Sequence, residues 1–381
     1  MSKILYISNA RIPTEKAHGI HIMKMCEAFA SAAEFELVIP PRFNKIKEDP
    51  FKYYGIKRNF KIKKIPCIDL IPWDKYFKYF GLGYLPLWLE SFTFSLSVFF
   101  YLLFKKADII YARDKSLLFI SSFWRNFIFE AHTFPKNYFL YAIFLKRLKG
   151  LVVITHKLKG LFAERGMEPD KILVAPDGVD LKQFDIKDVK EECRKKLNLP
   201  FDKKIVLYSG HLYAWKGAQI LAEASKYLRN DVEIYFVGGT AEDIQKFKIQ
   251  IDGYPISIKI VGHRPHSEIP FWLKAADVLV LPNSGKEEIS KHWTSPLKMF
   301  EYMASGGPIV ASDLPSIREI LNEENAILVE PDNPSALAQG IKDVLNNHSL
   351  SDKISRKAFL DVQQYTWKKR VEKICQKLIN T

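Results

Sequence analysis

The feature that most constrains the fold of this 381-residue chain is a regular alternation of short apolar runs with helical stretches. Near-continuous apolar runs of this kind are typical of parallel strands that are covered on both faces. Their alternation with helices predicts two doubly wound α/β domains, because the chain is too long for one ordinary core. The strand candidates are KILYIS, FELVIP, ADIIYAR, NFIFEAH, GLVVIT and ILVAP in the first half, and KIVLYSG, VEIYFVG, ISIKIVG, DVLVLP, PIVAS and AILVE in the second.

A turn-rich stretch, APDGVDLKQFD at 175–185, separates the two sets of strands and indicates the domain boundary. The positive charge lies almost entirely on one side of it. Residues 1–175 contain 28 Lys and Arg against 15 Asp and Glu, whereas the remainder contains 29 against 28. A positive first half attracts nucleic acid, anionic lipid or an anionic substrate. Nucleic acid is disfavoured, because no recognition motif accompanies the charge.

The cysteines and the first residues bear on the compartment. Four scattered cysteines without a C-x-x-C pair argue against a disulfide framework or a zinc site and favour a reducing compartment. The opening MSKILYISNARIPTEKAHG has an apolar run of about five residues, which predicts a first β-strand and no signal peptide. We therefore expect a cytoplasmic protein.

Residues 51–106 depart from the alternation. They hold 17 of the 51 aromatic residues, and ten Lys and Arg against three acids. The segment YLPLWLESFTFSLSVFFYLLF (84–104) has the length of a membrane span, but Pro86, Glu90 and its hydroxyl residues argue against one. A buried helix before a strand is the first interpretation. A helix in the membrane interface, with the basic and aromatic FKYYGIKRNFKIKK beside it, is the second.

The stretch TSPLKMFEYMASGG (294–307) predicts a short helix with an exposed start. Ser295 or Thr294 suits the N-cap and Pro296 the first helical position, with Leu297 next on the buried face. The N–H groups there can hold an anion such as a diphosphate. Glu301, a turn and a half along, can accept hydrogen bonds from a vicinal diol such as a ribose. An ordinary capped helix with an ion-paired glutamate is the alternative.

A second phosphate candidate is the loop in VLYSGHLYAWKGAQIL. Gly210 lets the backbone turn at the strand end. Lys216 falls at the start of the next helix, where a cation gains nothing from the helix dipole and is easier to explain beside a bound anion. A solvated lysine is the alternative. Neither a Walker A loop nor a G-x-G-x-x-G follows a strand, so a dinucleotide cofactor is disfavoured and no cofactor is expected.

Taken together, these motifs resemble the family-4 glycosyltransferases. The matching stretches are SGHLYAWKG, VGHRPHSEIPFWLKAADVLVLPNS and SPLKMFEYMASGGPIVASDLPSIREIL, with looser matches at RIPTEKAHGIHIMKMCEAFA, FEAHTF and VAPDGVDLKQF. The resemblance implies the GT-B fold, in which two Rossmann-like domains face each other across a cleft. It places an acceptor-side domain at 1–176, a nucleotide-sugar domain at 177–362, and a C-terminal helix at 363–381 that returns to the first domain.

The resemblance also assigns roles to residues. Glu301 would hold the ribose of a nucleotide-sugar donor, and Lys216 with the amides near Ser295, Pro296 and Leu297 would hold its diphosphate. The remaining implied positions are His263 and Arg264 at the base, Gly210 and His211 in the diphosphate loop, Gly19 in a loop that approaches the phosphates, and His132 facing the transferred sugar. His132, Lys216 and Glu301 are the predicted catalytic residues.

Two departures from the family pattern concern the donor site. A second glutamate is common eight positions before Glu301, where this chain has Trp293, and Glu287 or Glu288 or backbone N–H groups would have to replace it. The family often has arginine where this chain has His211, so fewer permanent charges would hold the diphosphate. The identity of the sugar is left open by both departures.

The resemblance implies a retaining, metal-independent transfer of a hexose from a UDP- or GDP-sugar. The acceptor would be a glycan or lipid-linked molecule used in cell-surface polysaccharide synthesis. The protein would act in the cytoplasm, with 51–106 as a possible contact to an anionic membrane surface. A nucleotide-sugar 2-epimerase of the same fold and a non-catalytic nucleotide-sugar or membrane-binding protein are the alternatives. The oligomeric state is left open.

Overall fold

The computed structural model of the protein describes residues 2–254 and 257–379, which divide into two compact units. Unit 1 contains the described parts of 1–154, 158–175 and 367–381, and unit 2 contains those of 155–157 and 176–366. Ile256, which opens the predicted run ISIKIVG, and the last two residues of the predicted C-terminal helix lie outside the described residues.

Unit 1 is built on one parallel sheet of seven strands. The strands are β1 (Lys3–Ile7), β2 (Glu34–Ile39), β3 (Lys61–Lys64), β4 (Ile109–Ala112), β5 (Phe127–Ala131), β6 (Gly150–Val153) and β7 (Ile172–Val174). Their order across the sheet is β3-β2-β1-β4-β5-β6-β7, so the winding direction reverses between β1 and β4. Crevices for ligands form at such a reversal, outside the carboxyl ends of the strands.

Helices alternate with these strands along the described part of residues 3–164. They are α1 (Ala17–Ala30), α2 (Pro50–Tyr53), α3 (Asp74–Tyr79), α4 (Leu85–Phe104), α5 (Tyr138–Leu145) and α6 (His156–Glu164). Two 3-10 segments matter below, at Ile71–Trp73 before α3 and at Lys115–Ser122 after β4.

Unit 2 is a second parallel sheet, of six strands. These are β8 (Lys204–Ser209), β9 (Val232–Val237), β10 (Ile258–Gly262), β11 (Val278–Leu281), β12 (Ile309–Ser312) and β13 (Ile327–Val329). Their order is β10-β9-β8-β11-β12-β13, which places the reversal between β8 and β11. Strand side chains alternate between two buried clusters, with Val206 and Tyr208 in one and Ile205 and Leu207 in the other. The sheet is therefore covered on both faces.

The helices of unit 2 and the C-terminal helix complete the fold. They are α7 (Leu181–Phe184), α8 (Lys190–Lys196), α9 (Ala218–Ala224), α10 (Ala241–Gln250), α11 (Ile269–Ala275), α12 (Glu288–His292), α13 (Leu297–Ser305), α14 (Pro315–Arg318), α15 (Pro334–Asn346), α16 (His348–Asp361) and, in unit 1, α17 (Trp367–Ile374), which packs against α1. The prediction of two doubly wound parallel-sheet domains is confirmed.

Helix α4 buries only one of its faces. Pro86, Glu90, Phe94, Val98 and Leu102 are buried at a spacing of four residues, which places them on one face. Large apolar side chains on the rest of the helix are exposed, among them Leu87, Trp88, Phe92, Phe100 and Phe104. Among the described helices α4 alone has the length and composition of a membrane-crossing helix. Its 18-residue apolar window has a mean hydropathy of 1.6, and 28% of that window is buried. The first interpretation, a buried helix, is therefore wrong for most of its surface.

Candidate functional site

The proposed donor site of unit 2 lies where β8 and β11 end, at the reversal of its sheet. The loop after β8 is fastened to the end of β11 at two points. The Ser284 amide donates a hydrogen bond to the Trp215 carbonyl oxygen at 3.0 Å. Gly217 has φ +73°, and a Cβ there would lie 1.7 Å from the Pro282 carbonyl oxygen. Because only glycine fits this close approach, the turn that carries Lys216 has a fixed position.

Lys216 itself ends a short 3-10 turn, Ala214–Lys216. Its ammonium lies 5.3 Å from the centre of the Trp215 ring and 5.4 Å from that of Tyr213. Desolvation by its surroundings lowers its pKa to about 8, partly opposed by the carboxylate of Asp243. The ammonium is thus held among aromatic rings and would be stabilised by an anion.

Helix α13 begins without a capping side chain. Pro296 occupies the N-cap position with extended backbone, and Leu297 is the first helical residue. The predicted N-cap role of Ser295 or Thr294 and the predicted first-turn position of Pro296 are therefore wrong by one or two residues. The reason is that the Ser295 hydroxyl accepts a hydrogen bond from the Asp177 amide at 3.0 Å and so fastens the segment that enters unit 2. The N–H groups at the helix start are left for another acceptor.

Lys298, in the first turn of α13, is a site residue that the sequence analysis did not identify. The residue is 7% exposed, its ammonium lies 3.7 Å from the centre of the Tyr208 ring, and no described atom serves as its hydrogen-bond partner. Burial, followed by the positive charge of Lys216, holds its pKa well below the usual range, with Glu301 opposing. A buried lysine amine without a hydrogen-bond partner is costly, and an anion bound here would supply that partner.

Two tyrosines fix α13 against the loop after β8. The Tyr302 hydroxyl accepts a hydrogen bond from the Ser209 amide at 2.8 Å. The Tyr208 hydroxyl donates to the His211 carbonyl oxygen at 2.6 Å, while its ring lies under Lys298. These contacts bring the segments that carry Lys216 and Lys298 to the same end of the sheet.

Glu301 is 9% exposed and is oriented by a histidine that the sequence analysis did not select. Its Oε1 lies 2.8 Å from Nε2 of His266. The Nδ1 of His266 accepts from the Gln183 amide nitrogen at 3.0 Å, so Nε2 carries the proton and donates to Glu301. The carboxylate is thereby held in place with Oε2 available to a second donor.

The remaining predicted donor positions are less enclosed. His211 stacks on Tyr213 and its Nδ1 lies 3.1 Å from an Asp243 carboxylate oxygen. Gly210 has φ +117°, as a sharp turn after β8 requires. His263 and Arg264 are exposed after β10.

The position of the missing second glutamate contains a buried donor. The indole Nε1 of Trp293 is buried without a described partner, as are Asn283 Oδ1 and His292 Nδ1 nearby in sequence. Glu287 and Glu288, named as possible replacements, are exposed at the start of α12. Unpartnered polar atoms are uncommon in folded proteins, so their concentration between β11 and α13 favours a ligand site.

In unit 1, His132 follows β5 and belongs to a buried network around Glu130. The carboxylate of Glu130, fully buried, lies 2.7 Å from His132 Nε2, 2.9 Å from His21 Nε2 and 3.0 Å from an Arg370 guanidinium nitrogen. Burial raises the pKa of Glu130, but Arg370 and the two histidines outweigh it and hold the pKa well below the usual range. Desolvation and Arg113 lower the pKa of His132 to about 4, so its ring is neutral near pH 7.

Gly19 has a packing reason of its own near the start of α1. A Cβ there would lie 2.2 Å from the Tyr54 hydroxyl, which accepts a hydrogen bond from the Thr14 amide at 2.7 Å. The glycine lets the loop between β1 and α1 close on Tyr54. Its proximity to a donor's phosphates stays a prediction.

The comparisons with known proteins concern the family and the fold. Residues 203–347 match the family described as Glycosyl transferases group 1. A teichuronic acid biosynthesis glycosyltransferase of Bacillus subtilis is 29% identical over 170 residues, which cover 44% of this chain and 40% of that protein. A D-inositol 3-phosphate glycosyltransferase of Paenarthrobacter aurescens is 27% identical over 220 residues, covering 55% and 52%. The chain thus aligns with about half the length of these curated relatives.

The crystal structure of Anabaena Alr3699/HepE in complex with UDP-glucose superimposes with a TM-score of 0.78 at 17% identity, covering all of both chains. At that identity the likeness shows the fold alone. The predicted GT-B fold of two Rossmann-like parallel-sheet domains is confirmed, and the predicted resemblance to glycosyltransferases is confirmed for residues 203–347, which match the group 1 family.

Proposed function

We propose that the protein is a retaining, metal-independent hexosyltransferase that uses a nucleotide diphosphate sugar. The observation that carries the proposal is the buried ammonium of Lys298, without a partner, at the uncapped start of α13. A diphosphate supplies what this place lacks, because its oxygens accept hydrogen bonds from amides and ammonium groups alike. The Anabaena protein of the same fold binds UDP-glucose, which makes a UDP-hexose the first donor to test.

In the proposed complex, each part of the nucleotide sugar has a partner in the protein. Lys216, Lys298 and the first amides of α13 hold the diphosphate, and Oε2 of Glu301 accepts from a ribose hydroxyl. His263 and Arg264 lie near the base, with Gly210 and His211 in the diphosphate loop. Lys298, protonated beside the bound diphosphate, supplies the positive charge that the family often has at the position of His211. Trp293 donates from its indole to the donor sugar, in the place of the missing glutamate.

The reaction balances without a cofactor. The bond between the sugar C1 and the diphosphate oxygen breaks, and a bond between C1 and the acceptor hydroxyl oxygen forms on the same face. The acceptor proton leaves with the nucleoside diphosphate. Negative charge grows on the diphosphate as that bond breaks, so the two lysines and the helix amides stabilise the transition state more than the ground state. This charge stabilisation takes the part that a divalent metal has in other transferases.

His132 and Gly19 complete the proposal in unit 1. The Nε2 of His132 faces Glu130, so its Nδ1 is the nitrogen that can meet a sugar hydroxyl. The ring is neutral near pH 7 and can act as a hydrogen-bond partner without adding charge. Gly19 belongs to the loop that approaches the donor's phosphates.

We also propose that the protein works at the cytoplasmic face of a membrane. The exposed face of α4 is apolar and aromatic, and the first half of the chain carries most of the net positive charge. A helix that one face fixes to unit 1, with apolar and aromatic side chains exposed elsewhere, is suited to lie in the membrane interface. Lipid-linked glycans for the cell surface are the corresponding class of acceptor.

Thermal unfolding with a panel of UDP-, GDP- and ADP-sugars tests the donor proposal. A donor at 100 times its dissociation constant adds about 2.7 kcal/mol to the free energy of unfolding. Product analysis without an acceptor separates the transferase from an epimerase, which would convert the donor alone. No stabilisation by any nucleotide sugar would overturn the proposal.

A further inference from the structure

A cavity of about 560 Å³ lies within unit 1, apart from the donor residues. Its walls are the segments that follow β1, β2 and β4 and the segment that precedes α3, so it opens at the carboxyl edge of the sheet, at the reversal between β1 and β4. The volume is that of a small-molecule site. Neither the donor proposal nor the family match at residues 203–347 uses this cavity.

The lining of the cavity is cationic. Five basic side chains contribute to it, against two carboxylates, namely Arg11, Lys16, Arg42, Lys45 and Arg113 against Asp69 and Asp114. His18 adds no charge near pH 7, because desolvation, followed by the charges of Arg113 and Lys16, lowers its pKa to about 3.

Both carboxylates accept hydrogen bonds from the segments that line the cavity. Asp114 accepts hydrogen bonds from the Asn9 amide at 2.8 Å and from the Ser8 hydroxyl at 3.2 Å. Asp69 accepts from the Phe43 amide at 2.8 Å and the Ile71 amide at 3.2 Å. Both acids therefore fix the loops around the cavity, while Lys16 and Lys45 remain exposed at its rim. A ligand for this lining is an anion, and a phosphate group matches several convergent cations.

The same walls hold the apolar helix. The buried carboxylate of Glu90 on α4 accepts from the Asn9 side-chain amide at 3.0 Å and lies 3.7 Å from the Arg42 guanidinium. Arg42 also donates to the Asn9 carbonyl oxygen at 3.1 Å. Asn9 and Arg42 both line the cavity, so a buried acid in the middle of α4 ties the exposed apolar face to the wall of a cationic cavity.

The other side of the cavity leads to the same apolar face. Ile71 and Pro72 line the cavity and belong to the 3-10 segment that runs directly into α3. From there the exposed side chains continue through Trp73, Tyr76 and Tyr79 to the start of α4. We define the apolar surface as the exposed large side chains of 73–104. A cationic cavity and an apolar surface are thus built from the same elements.

We infer that this cavity binds the terminal phosphate of a membrane lipid, whose hydrocarbon chain lies along the apolar surface, and that a lipid of this kind carries the acceptor. The inference deepens the proposed function. Lipid binding by the cavity does not depend on that function, whereas the role of the lipid in the transfer reaction does. A soluble anion would use the cavity but not the apolar surface. A neutral lipid would use the surface but not the positive charge of the cavity, so an anionic amphiphile is the ligand that uses both.

Co-sedimentation with three kinds of phosphatidylcholine vesicle tests the inference. One is pure, one contains polyprenyl phosphate, and one contains phosphatidylglycerol at equal surface charge. We expect binding at least tenfold tighter to the polyprenyl phosphate vesicles than to the phosphatidylglycerol vesicles. Equal binding to both charged vesicles would overturn the cavity assignment, because it would show attraction by surface charge alone.

Two variants assign the parts of the binding. Lys16→Ala with Lys45→Ala removes two exposed cations of the cavity, and should abolish the preference for polyprenyl phosphate while binding to phosphatidylglycerol falls less. Trp88→Ser with Phe92→Ser should reduce binding to all vesicles at least tenfold. An unchanged preference in the lysine variant, or unchanged binding in the aromatic variant, would contradict the inference.

Soluble competitors distinguish a site for free phosphate from a site for a phosphorylated lipid. Inorganic phosphate and a short water-soluble prenyl phosphate are titrated as competitors of the vesicles. We expect the prenyl phosphate to compete at concentrations at least tenfold lower than inorganic phosphate, and equal competition would show a simple phosphate site. Thermal unfolding with UDP-glucose is measured on the same samples. Stabilisation by the nucleotide sugar without lipid preference overturns this inference alone, whereas lipid preference without stabilisation overturns the donor proposal alone.

Discussion

The two units have the same kind of sheet and opposite kinds of surface. In unit 2 the positive charge needed for an anion comes from two lysines that are held by aromatic rings, in a half of the chain that is nearly neutral. In unit 1 a large excess of Lys and Arg accompanies an exposed aromatic face. A doubly wound sheet sets where a ligand can bind, and the loops at its carboxyl edge set what binds.

The two units also differ in how much their lysines and arginines cost in folding stability. Placing Lys298 in a buried position costs stability, and such a cost is found where binding or catalysis uses the group. The cations of unit 1 are mostly solvated and cost little, but each contributes little alone. We therefore expect changes in unit 2 to have large effects on nucleotide binding, and changes in unit 1 to have smaller, additive effects on membrane binding.

Replacing either lysine of unit 2 should have the largest effect. Lys216→Met and Lys298→Met should each lower kcat/KM by about 10²–10³, since each removes a charge that stabilises the departing diphosphate. Lys298→Met should also leave the melting temperature unchanged or higher, because it removes a buried polar group without a partner. Steady-state kinetics and thermal unfolding measure the two effects.

Lys226→Met is the matched control for these variants. Lys226 is an exposed lysine of the same unit, with its ammonium 4.2 Å from the centre of the Tyr254 ring. Its loss should leave kcat/KM unchanged. A loss of stability in Lys298→Met, with activity retained, would assign Lys298 to the core and remove it from the donor site.

Glu301→Ala should weaken donor binding by roughly 1.5–3 kcal/mol, which is a factor of about 10 to 150 in Kd. The physical reason is the loss of a charge-assisted hydrogen bond to the ribose. Calorimetry with UDP and with 2′,3′-dideoxy-UDP isolates this contact, because the dideoxy compound should bind the variant and the wild type equally. A similar loss for both compounds would show that Glu301 acts on the fold and not on the ribose.

The pH dependence of donor binding should report Lys216. Its pKa of about 8 in the free protein means that it is protonated below pH 8 and neutral above. Since a diphosphate binds the protonated form, affinity should fall up to tenfold for each pH unit above 8. In Lys216→Arg the fall that begins at pH 8 should disappear, because arginine stays protonated. A profile with the same onset in wild type and variant would refute the assignment.

Salt should have the smallest of these effects. Binding to phosphatidylglycerol vesicles should weaken severalfold between 0.1 and 0.5 M NaCl, because screening shortens the reach of the basic surface of unit 1. The aromatic face is insensitive to salt and should keep part of the binding. Sedimentation over a salt series measures this. Binding that does not change with salt would show that the charge of unit 1 serves another purpose.

Much of this fold follows from the sequence, because parallel strands that are buried on both faces are apolar throughout. Twelve of the thirteen strands in the described residues coincide with apolar runs. The exception is β3, Lys61–Lys64, an edge strand with three lysines among its four residues. Charged edge strands protect a sheet from pairing with other chains, and for the same reason they lack the apolar pattern of a strand.

The site was predictable where a motif fixes the backbone and unpredictable where distant residues meet. The positions of Lys216 and Glu301 follow from local strand-loop-helix patterns. The role of Ser295 does not, because its partner, the Asp177 amide, lies 118 residues away in the chain. One feature of the sequence could have identified Lys298 as a candidate site residue. A lysine near the start of a helix opposes the helix dipole, as Lys216 does. Glu130 and Arg370 are 240 residues apart, and only the fold brings them together.

Calorimetric titration of the protein with UDP at pH 8, in buffers with different ionisation enthalpies, tests the central claim most directly. If the diphosphate binds at the start of α13 beside Lys216, whose pKa is about 8, binding takes up protons, and the uptake decreases in Lys216→Arg, which stays protonated. Binding of UDP without proton uptake, or no binding of UDP, GDP or ADP, would contradict it.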